Sequence, residues 1–134
     1  MNALGQLFRT YHKMHRLIES QLDKDGLTLP QVEALATLLK QPGMTQQELA
    51  EHLVVTKGNI TGLIDRLAGR GLVERRADVD DRRVNSLYLT DEAIATLDRM
   101  IPAHVETTER VFEVLTDKER ETLRELLSRL EQTL

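Results

Sequence analysis

The chain contains no cysteine, which excludes disulfides, thiol redox sensing and cysteine-ligated metals. It also lacks any run of 18 apolar residues and any signal-peptide pattern, so a soluble cytoplasmic protein without a membrane contact is expected. Internal repeats and low-complexity segments are missing too. No nucleophile with a base, no carboxylate pair and no phosphate-cradling glycine loop stands at a recognisable spacing, which argues against an enzyme. His12 and His15 are three apart and could share a helix face, but neither they, His52 nor His104 is completed into a metal site. The acids Asp78, Asp80 and Asp81 lack the Gly and terminal Glu of a calcium loop. Neither metal nor cofactor is expected. A membrane-surface role would need a basic amphipathic helix, and the terminal helices are acidic or mixed.

What is present is 134 residues with a net charge of −4, enough for one domain with its own core. The informative stretch runs from Thr45 to Arg83. Thr45-Gln46-Gln47-Glu48 is a capping box, which predicts a helix start, and Leu49, Ala50 and Leu53 follow on one face. The stripe ends at Leu53-Val54-Val55, and Thr56 offers a second N-cap. The helix beyond it carries Ile60, Leu63, Ile64 and Leu67 at i, i+3, i+4 and i+7, and Gly71 suits a left-handed C-cap. Two such helices joined by about three residues are a helix-turn-helix signature.

The outer face of that second helix is small or hydrogen-bonding: Thr56, Lys57, Gly58, Asn59, Thr61 and Gly62. Small residues let a backbone approach a partner, Asn can pair with an adenine edge, and amides at a helix start favour phosphate. A plain packed hairpin with an arbitrary polar face is the bland alternative. Two short strands follow, Leu72 to Arg76 and Ser86 to Leu89, separated by a charged tip. A hairpin placed there is the wing of a winged helix. Its tip can put a guanidinium into a minor groove while a carboxylate fixes its direction. From Thr56 to Arg83 seven cations face five acids, a local charge of +2, which leaves −6 on the rest. Charge is thus polarised towards the proposed DNA face.

The flanks read as helices. Residues 2–22 place Leu4, Leu7, Phe8, Tyr11, His15, Ile18 and Leu22 along one side, and Asp25-Gly26 ends the run. Thr28-Leu29-Pro30-Gln31 is another capping box, opening a helix with Val32, Leu35, Ala36, Leu38 and Leu39 until Pro42-Gly43. Thr90 can cap a long helix from Asp91 to about Val114, with Pro102 expected to kink it. Thr116-Asp117-Lys118-Glu119 opens the last helix, whose stripe is Leu123, Leu126, Leu127, Leu130 and Leu134. That stripe is expected to pack against a second copy, with packing on the first helix of the same chain as the alternative.

The run Leu53 to Arg76, the Asp81-Arg82-Arg83 tip and the closing Leu87-Tyr88-Leu89-Thr90 resemble the MarR (multiple antibiotic resistance regulator) family, and the flanking helices match in order and length. The resemblance implies a mainly α fold with a small β wing. Its DNA-binding lobe would span 28–90 and its dimerisation helices 2–22 and 91–134, within a single domain 1–134. It implies a homodimeric regulator, expected to repress, on a pseudo-palindromic duplex. Base contacts would fall to Asn59 and Thr61 and the minor groove to Arg83, oriented by Asp81. Lys57, Arg66, Arg75 and Arg82 would reach phosphates, with Gly58, Gly62, Thr56, Thr45 and Gln46 on the same face. Gly62 stands where many relatives carry a longer polar residue, and Ala93 where Gly is common. A small aromatic or amphipathic ligand would lie against Leu7, Tyr11, His15 and Leu35. The competing reading is a winged-helix scaffold for protein contacts, which would have no use for the Asp-Arg-Arg tip.

Overall fold

Four threonines set the helix starts of this protein. In the computed structural model, which describes residues 2–53 and 57–134 and only the backbone of Lys57, each makes the bond its sequence context predicts. Thr28 opens α2 (Leu29–Lys40) with a reciprocal capping box to Gln31, and Pro30 sits in the first turn, where a missing N–H costs nothing. Thr45 opens α3 (Gln46–Leu53): its hydroxyl accepts from the Glu48 N–H at 3.1 Å and its own N–H donates to the Glu48 carboxylate at 3.3 Å. Thr90 accepts from the Ala93 N–H and so caps α5 (Asp91–Phe112), while donating to the Gly71 carbonyl at 2.6 Å. Thr116 forms the last capping box, with Glu119, and opens α6 (Asp117–Glu131). The first helix, α1 (Ala3–Leu22), is capped by Asn2. The cap expected at Thr56, with Val54 and Val55, lies outside the described residues.

Left-handed glycines end two elements. Gly26, at φ 67°, follows a single 3-10 turn (Asp23–Asp25) after α1, and the Leu27 N–H returns to the Leu22 carbonyl. Gly71, at φ 72°, closes α4 (Lys57–Gly69) in the same way: the Leu72 N–H returns to the Leu67 carbonyl and the Gly71 N–H to the Ala68 carbonyl. Both are Schellman closures, which favour glycine because a Cβ is strained there.

Strands β1 (Val73–Ala77) and β2 (Asn85–Leu89) pair antiparallel, with Val73 opposite Leu89 and Ala77 opposite Asn85. The segment before α3 extends this sheet, a pairing that no local sequence signal predicts. Thr45 bridges to Ser86, the Gly43 N–H donates to the Leu87 carbonyl and the Leu87 N–H to the Met44 carbonyl. Gly43 is needed there, because its φ is 85° and a Cβ would stand 2.9 Å from the Tyr88 hydroxyl. Hydrogen bonds thus fasten the start of the helix-turn-helix to the wing.

The chain divides into two compact units, 1–99 and 100–134. The border falls inside α5 rather than at its start, and Ala93 and Leu97 in its first turns are fully buried within the first unit. The centre of that unit is Leu27, Leu35, Leu38, Leu49, Ile60, Ile64, Leu67, Leu87 and Leu97. On α2 the inward face is rotated from the one expected. Ala34 and Thr37 are buried while Leu39 is exposed, and Thr37 satisfies its hydroxyl on the Glu33 carbonyl at 2.8 Å. In the second unit Arg120 closes the end of α5. Its Nε donates to the carbonyls of Phe112 and Leu115, and its guanidinium pairs with Glu109 at 3.1 Å. The expected α5 runs to Phe112, two residues short of Val114.

Candidate nucleic-acid interface

The apolar stripe of α4 decides what the helix can offer a partner. Ile60, Leu63, Ile64 and Leu67 are buried, which turns Gly58, Asn59, Thr61, Asp65 and Arg66 outwards. Neither glycine on that outer face is required by the fold. A Cβ at Gly58 would meet nothing within 4 Å, and one at Gly62 would meet only the Arg66 guanidinium, at 3.8 Å. Glycine inside a helix is worse than alanine by about 0.5–1 kcal/mol, so two glycines that the fold does not require lower the stability of α4 here. They leave the first two turns of α4 flat.

The wing tip is built from its own acids. Asp78 accepts from the N–H groups of Asp80 and Asp81, and Asp81 accepts from the N–H of Arg83. These local bonds fold 78–83 into a tight, hydrogen-bonded loop. The Asp81 carboxylate also takes both Nε of Arg83, at 3.1 Å, and Nη2, at 3.2 Å. This two-pronged pair fixes the direction of the guanidinium while leaving the Arg83 side chain 90% exposed. The Arg83 guanidinium holds the Asp81 carboxyl below the usual carboxylate range, so Asp81 remains charged at neutral pH. Val79, at the same tip, is 98% exposed. An apolar residue between two aspartates in a loop is the sequence signal for this exposed position.

Between α3, α4 and the wing lies an open cleft of about 650 Å³, lined by Thr45, Gln46, Thr61, Arg83 and Asn85 among others. Four residues expected on the DNA face are therefore gathered at one concavity. Asn85 was not expected there. Arg66 and Arg82 are exposed nearby. Thr56 and the Lys57 side chain lie outside the described residues. Among the described residues no group of three His, Asp or Glu could hold a metal. Among the described residues, no helix is long and apolar enough to cross a membrane.

Other expected contacts are occupied within the chain. The Arg75 guanidinium is in an ion pair with Asp65 at 2.6 Å and is mostly covered. Thr45 is engaged by its capping box and Gln46 donates to Thr61 at 2.8 Å. Two further cations of the basic segment serve the fold. Arg70 donates to the Gly26 carbonyl at 2.6 Å and so fastens the end of α4 to the α1–α2 connection. Arg76 lies 4.1 Å from the centre of the Tyr88 ring, a cation–π contact. The count of cations in the segment thus overstates how many are offered to a partner.

Residues expected to border a ligand are split by burial. Leu35 is fully buried in α2. Leu7 and Tyr11 are exposed on α1, and the Tyr11 ring lies 5.6 Å from that of His15, which pairs with Glu19 at 3.4 Å.

Comparison with known proteins agrees with this architecture. The MarR family model matches residues 27–84. The transcriptional repressor YetL of Bacillus subtilis is 34% identical over 96% of this chain and 78% of its own length. A probable transcriptional regulator from Pseudomonas aeruginosa superposes with a TM-score of 0.85 at 30% identity, covering 96% of this chain and 97% of that one. The repressor CouR, solved bound to a 23-mer DNA duplex, gives 0.90 at 30% identity over 97% and 92%. With a helix-turn-helix, a hydrogen-bonded wing and these relatives, the chain belongs to the MarR family of winged helix-turn-helix transcription regulators, which are not enzymes.

Proposed function

We propose that this regulator binds as a homodimer to a pseudo-palindromic duplex, with half-sites about 10 base pairs apart. The observation that carries the reading is the Asp81–Arg83 pair, a guanidinium aimed by two hydrogen bonds yet almost wholly exposed at the wing tip. Arg83 enters the minor groove. The flat start of α4 lies in the major groove, with Asn59 and Thr61 at base edges and Lys57, Arg66 and Arg82 at phosphates. The cytoplasm is the compartment that suits such a regulator. The DNA-bound relative supports the duplex as partner. Two-fold symmetry is supported by the apolar surface on the terminal helices, where Phe8, Leu126 and Leu130 are about half exposed. Sedimentation of the protein with a duplex carrying two half-sites tests this. Two chains per duplex are expected, and one chain per duplex contradicts the dimer.

A small aromatic or amphipathic effector bound over Leu7, Tyr11 and His15 fits the ring cluster on α1. Such a ligand would act by biasing the spacing of the two α4 helices, a coupling between sites. A thermal-shift screen of aromatic carboxylates should find a stabiliser that also weakens DNA binding. A stabiliser without effect on DNA, or none, contradicts the effector reading.

A further inference from the structure

Gln46 stands at the first turn of α3, facing α4, and both ends of its amide are used inside the chain. Its Nε2 donates to the Thr61 hydroxyl at 2.8 Å, and its Oε1 accepts from Arg75 Nη2 at 3.5 Å. The same Arg75 nitrogen donates to Asp65 Oδ1 at 2.6 Å. Thr61 and Asp65 are four residues apart, one turn of α4. The bonds therefore close a ring that leaves α4 at Asp65, passes through β1 at Arg75 and α3 at Gln46, and returns to α4 at Thr61. Only one orientation of the amide satisfies both partners, since turning it over would set its NH₂ against the guanidinium donors.

We propose that Gln46 is a positioning residue for base recognition: it sets the rotation of α4 about its own axis, rather than contacting DNA. The apolar stripe fixes which face of α4 is buried, but hydrophobic contact is non-directional and tolerates some rotation. Hydrogen bonds to two points one turn apart do not. A few degrees of roll moves Asn59 and Thr61 relative to the base edges, where short side chains need strict geometry, whereas a long arginine such as Arg66 can re-extend to a phosphate and Arg82 lies on the wing, outside α4. Gln46 would therefore govern discrimination between sequences, with little share in affinity for DNA in general. Arg75 acts in the same ring, as a strut between β1 and α4. Arg75 is thereby reassigned from the phosphate contact that the sequence suggests, and Gln46 from a direct place on the DNA face. The inference rests on reading α4 as the base-contacting helix.

The test compares binding of the full-length protein to two duplexes of equal length: one enriched by the wild-type protein from a random pool, and a scrambled one. Gln46→Leu keeps the shape and removes both hydrogen bonds. It is expected to lower the ratio of the two affinities about tenfold, the scale of one mismatched base pair. Affinity for the scrambled duplex and its salt slope should stay unchanged. Gln46→Glu keeps an acceptor for Arg75 and should therefore retain more of the ratio than Gln46→Leu. Asp65→Asn loosens the ring without touching α3, and should lower the ratio in the same sense even if Gln46→Leu folds poorly. An equal loss on both duplexes with a salt slope reduced by about one would make Gln46 a phosphate contact and overturn the proposal. So would an unchanged ratio in Gln46→Leu and Asp65→Asn. Asn59→Ala serves as the control for the underlying reading. If it leaves the ratio intact, α4 is not the base-contacting helix. If it abolishes the preference while the Gln46 and Asp65 variants do not, only the positioning role fails.

Discussion

Two helices of this protein carry equally regular apolar stripes and end in opposite situations. On α4, Ile60, Leu63, Ile64 and Leu67 are all buried, while on α6, Leu123, Leu126, Leu127 and Leu130 are all exposed. Periodicity tells which face of a helix seeks cover and says nothing about what covers it. The α4 stripe belongs to a unit of 99 residues, which can close a core, whereas α6 lies in a unit of 35 residues. Units shorter than about 40 residues seldom bury enough surface alone without a disulfide, a metal or a second chain. The sequence has no cysteine, which excludes a disulfide, and the second chain proposed above would supply the cover.

Truncating the inner stripe should have the largest effect. Ile64 is fully buried, so Ile64→Ala should lower stability by about 2–5 kcal/mol, measured by denaturant unfolding. A loss below about 1 kcal/mol would mean the site collapses around the cavity. The outer stripe should respond differently. Leu126→Asp with Leu130→Asp should convert dimer to monomer and remove the dependence of the melting temperature on protein concentration. A double variant that remains dimeric in sedimentation would place the interface elsewhere. Third, Gly62→Ala on the outer face of α4 should raise stability by about 0.5–1 kcal/mol, because the Cβ meets only a flexible guanidinium. DNA affinity should fall in the same variant. A gain in both would show that closeness of approach is not what the glycine provides.

The smallest effect concerns pH and the start of α6. Backbone and side-chain hydrogen bonds from Thr116 hold the Glu119 carboxyl below its ordinary value of 4.5. The folded state therefore binds fewer protons than the unfolded one near that pH. The contribution is fully present above about 4.5 and is lost as pH falls through the lower folded value. Glu119→Gln, which can still accept from the Thr116 N–H but does not titrate, should flatten this part of the stability–pH curve, and an unchanged curve would show that Glu119 carries no share of the pH dependence.

Much of the fold was legible because its punctuation is local. Capping boxes at Thr28, Thr45 and Thr116 and the left-handed Gly71 depend on residues within four positions, and each forms as its sequence reads. The Asp81–Arg83 pair is legible for the same reason. What escaped the sequence is long-range. That Thr45 bridges to Ser86 depends on how 43–45 and β2 come together, and that Arg75 reaches Asp65 depends on the angle between β1 and α4. The charge count treated all seven cations of the basic segment alike. Tertiary structure separates Arg70, Arg75 and Arg76, which brace the fold, from Arg66, Arg82 and Arg83 on the outer face. The rotation of α2 escaped as well, because Thr37 hides its hydroxyl on its own helix and so behaves as a core residue.

The central claim is that an exposed, carboxylate-aimed Arg83 and the flat start of α4 together read duplex DNA. Selection from a pool of random duplexes, run in parallel with the wild-type protein and Arg83→Ala, tests it most directly. An enriched pseudo-palindrome with half-sites about 10 base pairs apart is expected, weakened in the variant. No enriched sequence, or the same enrichment at the same affinity in both, would contradict it.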